Sequence, residues 1–88
     1  MASIKHKRRD KLSIIAAIIE ITREGALKTQ IMYKANLSLP QLNKYLTLML
    51  KTKLLTQTIY DGREGYVVTE QGLDFLQKYS ELVNMLKT

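Results

Sequence analysis

Residues 28–69 run KTQIMYKANLSLPQLNKYLTLMLKTKLLTQTIYDGREGYVVT. Lys28 to Ala35 spaces Ile31, Met32 and Ala35 along one helical face. Asn36, a residue that tolerates the left-handed backbone, ends that helix. Ser38-x-x-Gln41 is a capping box, with Pro40 in the first turn where no backbone donor is missed. A second helix is therefore expected from Ser38 to about Thr52. Leu39, Leu42, Tyr45, Leu46, Met49 and Leu50 share one arc of its wheel. Pro40, Lys44, Thr47 and Lys51 lie opposite, with Gln41 and Asn43 at the borders. Leu48 falls on the polar side, and a small rotation of the helix buries it. Leu54 to Tyr60 alternates as a strand, Asp61 to Gly65 reads as a hairpin loop, and Tyr66-Val67-Val68 returns.

The tight Leu37-Ser38 spacing between the two helices is that of a helix-turn-helix, and the hairpin after it forms a wing. The expected fold class is mainly α with a small β-hairpin, a winged helix-turn-helix with a C-terminal dimerisation helix. Its divisions are a flexible basic arm (1–9), the winged domain (10–69) and the last helix (70–88).

Upstream, Asp10 is a fair N-cap for a first helix that Gly25 closes as a left-handed residue. Leu12, Ile15, Ala16 and Ile19 make one apolar face, and Ile14, Ala17, Ile18 and Ile21 a second. Such a helix asks for cover on two sides. Downstream, Thr69 caps a helix from Glu70 to about Lys87. Phe75, Leu76, Tyr79, Leu82, Val83 and Leu86 recur on it at steps of three and four, over barely two heptads. Pairing of two such helices, which also covers Ile14 and Ile18, gives a two-fold homodimer. The competing reading folds the last helix onto its own first helix and leaves a monomer.

Charge points to a polyanionic partner. The chain of 88 residues has 14 Lys and Arg against 8 Asp and Glu, a net +6. Residues 1–53 hold eleven bases and three acids, whereas 54–88 hold three bases and five acids. One half is thus built to meet an anion and the other to pack. The basic Lys5 to Arg9 and the apolar Leu12 to Ile19 mimic a signal peptide, but Glu20 stops the apolar run well short of the ~20 residues that span a bilayer. No membrane segment is expected.

Catalytic chemistry finds little to work with. There is no cysteine, one histidine (His6), no carboxylate cluster and no glycine-rich phosphate loop. We expect no enzyme, no metal, no cofactor and no small-molecule ligand.

Three groups of residues suit double-stranded DNA. Gln41, Asn43, Lys44 and Thr47 sit in the half of the second helix that reaches base edges in a major groove, and Lys51 lies farther on, over phosphate. Lys5, Lys7, Arg8, Arg9 and Lys11 supply a basic arm for phosphates or a minor groove. Arg63 on the wing, with Lys28, Thr29, Gln30 and Lys34 on the preceding helix, can clamp flanking phosphates. Any amphipathic helix owns a solvated polar face, and the cap, tight turn and wing around this one are what favour DNA. The function expected is a DNA-binding transcription regulator or nucleoid-associated protein, cytoplasmic. The alternative is a winged-helix module for protein–protein contact inside a larger assembly.

Lys11-Leu12-Ser13-Ile14-Ile15, the run from Lys28 to Ser38 and the later Tyr66-Val67-Val68-Thr69-Glu70-Gln71-Gly72 resemble the small archaeal winged-helix proteins of the Sulfolobus ten-a chromatin type. The likeness covers nearly all of the chain after the arm. It implies an archaeal or archaeal-virus origin, double-stranded DNA binding, a chromatin role and dimerisation through an antiparallel coiled coil of the last helices. Pro40 and the polar set around it are this sequence's own, so the resemblance implies no base preference.

Overall fold

The computed structural model describes residues 10–87. The arm carrying Lys5, Lys7, Arg8 and Arg9 lies outside them. The elements are α1 (Lys11–Ile21), β1 (Ala26–Leu27), α2 (Lys28–Ala35), α3 (Leu39–Lys51), β2 (Leu55–Tyr60), β3 (Arg63–Val68) and α4 (Glu70–Leu86). The sheet runs β1-β3-β2, antiparallel throughout.

Asp10 caps α1, its Oδ1 accepting the Ser13 N–H at 2.8 Å. The far end differs from expectation. The helix stops at Ile21, and Gly25, left-handed at φ 97°, comes only after a further turn. Thr22 is the reason. Its N–H and its hydroxyl both donate to the Ile18 carbonyl, at 3.0 and 2.8 Å. Its own carbonyl accepts the N–H groups of Gly25 and Val68, each at 3.1 Å. Thr22 is fully buried with its polar atoms satisfied, and it pins the end of α1 to the last residue of β3.

Ile14, Ile15, Ala16, Ile18 and Ile19 of α1 form the middle of one core, shared with Ile31 and Ala35 of α2, Leu42, Leu46 and Met49 of α3, and Leu76 of α4. Here the dimer expectation needs correcting. Ile14 and Ile18 are 7% and 0% exposed in a single protomer, and Leu76 is 7% exposed. The second apolar face of α1 meets α4 of its own chain, so these three side chains are spent on the protomer's interior.

The turn between α2 and α3 forms as its residues dictate. Asn36 is left-handed at φ 57°, and the Asn36 and Leu37 N–H groups return to the Tyr33 and Met32 carbonyls. Ser38 and Gln41 then close a reciprocal capping box. Leu39 departs from its expected place in the apolar arc. It is the first residue of α3, ahead of the core, and half of its surface is open. Leu48 is half-buried against the core, as a slight rotation requires.

At the other end of α3, Lys53 takes a left-handed backbone (φ 65°), while the Lys53 and Leu54 N–H groups donate to the Leu50 and Met49 carbonyls. The following hairpin is tighter than expected. The Asp61–Gly65 loop shrinks to Asp61-Gly62, both at positive φ, and Tyr60 pairs directly with Arg63. An Asp-Gly pair supplies the mirror-image turn that matches strand twist, so Arg63, Glu64 and Gly65 join the ladder. Gly65 is there for space: a Cβ on it would lie 2.7 Å from the carbonyl oxygen of Ala26 on the neighbouring β1.

α4 starts on the same junction. Thr69 accepts the Gly72 N–H at 3.0 Å and donates its hydroxyl to the Lys53 carbonyl at 2.6 Å, while Gln71 Nε2 reaches the Thr52 carbonyl at 2.9 Å. The end of α3, the base of the wing and the start of α4 are thereby tied together.

Candidate nucleic-acid interface

α3 is the element the fold presents most cleanly. Leu42, Leu46 and Met49 hold its inner face in the core, and both of its ends are fixed by side-chain or backbone caps. Asn43, Lys44, Thr47 and Lys51 are exposed along its outer side. Among the described residues their amide, ammonium and hydroxyl groups take no side-chain hydrogen bond or ion pair. Gln41 does. Its Oε1 accepts from both the N–H and the hydroxyl of Ser38 at 3.0 Å. Only its amide N–H groups face outward unencumbered, so the bidentate pairing with adenine expected of it requires the capping box to open.

Lys11, at the start of α1, lines a 440 Å³ cleft with Gln41, Lys44, Tyr45 and Leu48 of α3. Two lysines from different elements thus border one hollow at the N-terminal end of α3. The sequence groups Lys11 with the basic arm, and only the tertiary fold brings it beside α3.

The α2 candidates divide. Thr29 and Lys34 are exposed and Lys28 half-buried. Gln30 is half-buried, and its Oε1 accepts the Leu27 N–H at 2.8 Å, closing the N-terminus of α2. Like Gln41, it works as a cap, the Gln-at-N3 half of the pattern recognised at Ser38. Here Leu27 cannot return the bond, which hides the signal from a sequence reading. On the wing Arg63 is exposed, but Asp61 and Glu64 flank it, so the wing tip is less basic than Arg63 alone suggests.

The family model described as winged helix-turn-helix matches residues 8–87. This chain belongs to the winged helix-turn-helix family. No curated protein matches the sequence closely enough to be paired with it. Among solved structures, this winged-helix chain is similar to Sso10a-2, a DNA-binding protein from Sulfolobus solfataricus, at a TM-score of 0.78 and 22% identity, covering 88% of this chain and 81% of that one. It also resembles MepR of S. aureus in a MepR–DNA complex (TM-score 0.71, 12% identity), covering 93% of this chain and 61% of MepR. A third likeness is to ZitR of Lactococcus lactis in complex with DNA, at a TM-score of 0.60 and 14% identity over 99% of this chain and 69% of ZitR. At such identities the likeness establishes the shared winged-helix fold.

The winged-helix α4 carries the remaining candidates. Phe75, Tyr79 and Val83 are half-buried, Phe75 and Tyr79 against the core. Leu82 and Leu86 are 56% and 83% exposed, as is Met85 at 76%, a residue the seam pattern omitted. The opposite side is solvated: Lys78 Nζ lies 2.8 Å from Asp74 Oδ2, whose hydrogen bond and charge hold the ammonium pKa above its ordinary value. Among the described residues no group of three or more His, Cys, Asp or Glu is placed to hold a metal, and no helix is long and apolar enough to cross a membrane.

Proposed function

We propose that this chain binds double-stranded DNA, as a transcription regulator or nucleoid-associated protein, by laying the exposed side of α3 in the major groove. The observation that carries this reading is the placement of Asn43, Lys44, Thr47 and Lys51 together on the outer side of a helix capped at both ends. A helix so fixed meets a groove without first losing conformational freedom. Lys44 and Asn43 face base edges in the N-terminal half, and Lys51 meets phosphate. Lys11, Lys28, Thr29 and Lys34 neutralise backbone on the flanks. Lys5, Lys7, Arg8 and Arg9 precede Asp10, which joins α1 beside the cleft that Lys11 shares with Lys44. Arg63 reaches phosphate from the wing. The DNA-bound winged-helix structures of MepR and ZitR, which share this fold, support the same use of it.

The oligomer is a homodimer joined through the exposed end of α4, where Leu82, Met85 and Leu86 await cover. Phe75, Tyr79 and Val83 border that patch. Two copies place two α3 helices for two half-sites.

Titration of a short duplex at 50 and 200 mM salt tests the DNA reading. Six or more phosphate contacts require affinity to fall on the order of a thousandfold between those conditions. Absence of binding at the lower salt overturns it and leaves the protein-contact module.

A further inference from the structure

The sheet ends on β2, and among the described residues no strand lies beyond it. Tyr60 and Arg63 flank a two-residue turn, so they form a hydrogen-bonded pair. Alternation puts Thr58↔Gly65 and Thr56↔Val67 in the same class. The backbone groups of Thr56, Thr58 and Tyr60 therefore face β3, and those of Leu55, Gln57 and Ile59 face outward.

An open edge is a template for another strand, and natural edges guard against it with Lys, Pro or a bulge. β2 has none of these guards. Leu55-Thr56-Gln57-Thr58-Ile59-Tyr60 carries no charge, Gly or Pro, is rich in β-formers, and pairs with β3 without a bulge. Ile59, next to the strand's last residue, is 70% exposed. The flanking charges are of opposite sign: Lys53 before the strand and Asp61 after it. In an antiparallel self-pairing centred on Gln57, Leu55 lies opposite Ile59, and the strand end preceded by Lys53 in one copy meets the end followed by Asp61 in the other. That centre also matches outward-facing groups to outward-facing groups.

We infer that two copies of this chain pair edge to edge along β2, antiparallel across a two-fold axis at Gln57, when DNA holds them on neighbouring sites. This rests on the DNA reading above. A six-residue strand spans only about 20 Å and buries far less than the ~1,600 Å² of a standard stable interface. Free dimers therefore do not pair along β2, and DNA supplies the local concentration that completes the pairing. Glu64 lies opposite Ile59 on the ladder, and Asp61 sits in the turn. Those acids turn this face of the wing away from phosphate and leave it for a second protein copy.

The test compares, per bound dimer, a duplex that holds one α4-joined dimer with one that holds several, using wild type and Ile59→Lys. A lysine at 59 guards the edge while facing Glu64 within its own hairpin, so the fold is kept. Wild type is expected to bind the long duplex about 5- to 150-fold tighter per site, with a slope above unity. Ile59→Lys keeps the short-duplex affinity and loses that advantage. A Gln57→Cys variant, in a chain with no other cysteine, is expected to form disulfide-linked pairs on the long duplex only. Equal affinity and slope of wild type on the two duplexes, or full retention of the advantage by Ile59→Lys, overturns the pairing and spares the DNA reading. Binding to neither duplex overturns both.

Discussion

Gln41 is where local structure and recognition compete for one side chain. Its carbonyl oxygen closes the α3 capping box, and its amide nitrogen is left for a base edge. Gln41→Glu separates the two. A carboxylate accepts from Ser38 as well as the amide does and suits a helix N-terminus, so the melting temperature is expected to hold or rise slightly. The same change removes the only donor and brings a negative charge to phosphate, so DNA affinity is expected to fall at least tenfold. Lys44→Ala, which touches no cap, is expected to weaken binding at unchanged stability and to lower the log–log salt slope by about 0.9 if it meets one phosphate. Lys53 makes the complementary point about backbone. It holds a left-handed conformation that costs a non-glycine residue about 1–2 kcal/mol, partly offset by the entropy glycine loses on folding. Lys53→Gly is expected to stabilise the fold by about 0.5–1 kcal/mol, read from urea unfolding midpoints.

At the scale of elements, the junction of α3, β2 and α4 depends on Gly72. A Cβ there would collide with the Leu54 carbonyl oxygen and with Val68 Cγ2. The carbonyl is already bonded to the Thr69 N–H at 3.1 Å and cannot move aside cheaply. Gly72→Ala is expected to cost about 1–3 kcal/mol despite its favourable helix propensity, with a melting temperature lower by roughly 4–8 °C per kcal/mol. Where an element's signals are local, the sequence reveals it. The Ser38 capping box, Asn36, the Asp10 and Thr69 caps and the 3.6-residue spacing of α3 and α4 place those helices within a residue or two. Where a boundary is set by a distant partner, the sequence is mute. Two-residue β1 exists because Ala26 and Leu27 find Tyr66 and Gly65, 40 and 38 residues away. Arg63 to Gly65 look like loop because a charge pair and a glycine mask the ladder they form with Tyr60, Ile59 and Thr58. The end of α1 is decided by Thr22 bonding to Val68. The polar side of α3 follows from its wheel alone, whereas the sharing of one cleft by Lys11 and Lys44 depends on the tertiary fold.

For the whole molecule the question is which apolar surface belongs to the protomer and which to a partner. Periodicity cannot answer it, because a helix facing its own core and one facing another chain are patterned alike. The fold divides α4 along its length: Gly72 and Leu76 are interior, whereas Leu82, Met85 and Leu86 near its C-terminal end are exposed. The two halves should therefore fail differently. Leu76→Ala removes a core side chain, at a cost of about 2–5 kcal/mol, a large share of the ~5–15 kcal/mol that holds a domain together. It is expected to broaden or abolish cooperative thermal unfolding. Leu82→Asp with Leu86→Asp leaves the core intact, so the circular dichroism of the native state should persist. Charge in place of the exposed leucines should instead halve the mass seen by light scattering and lower affinity for DNA carrying two half-sites, since the second contact is no longer intramolecular. A monomeric mass for the wild-type chain, or a double variant that keeps the wild-type dimeric mass, overturns the assignment of this surface to a second copy.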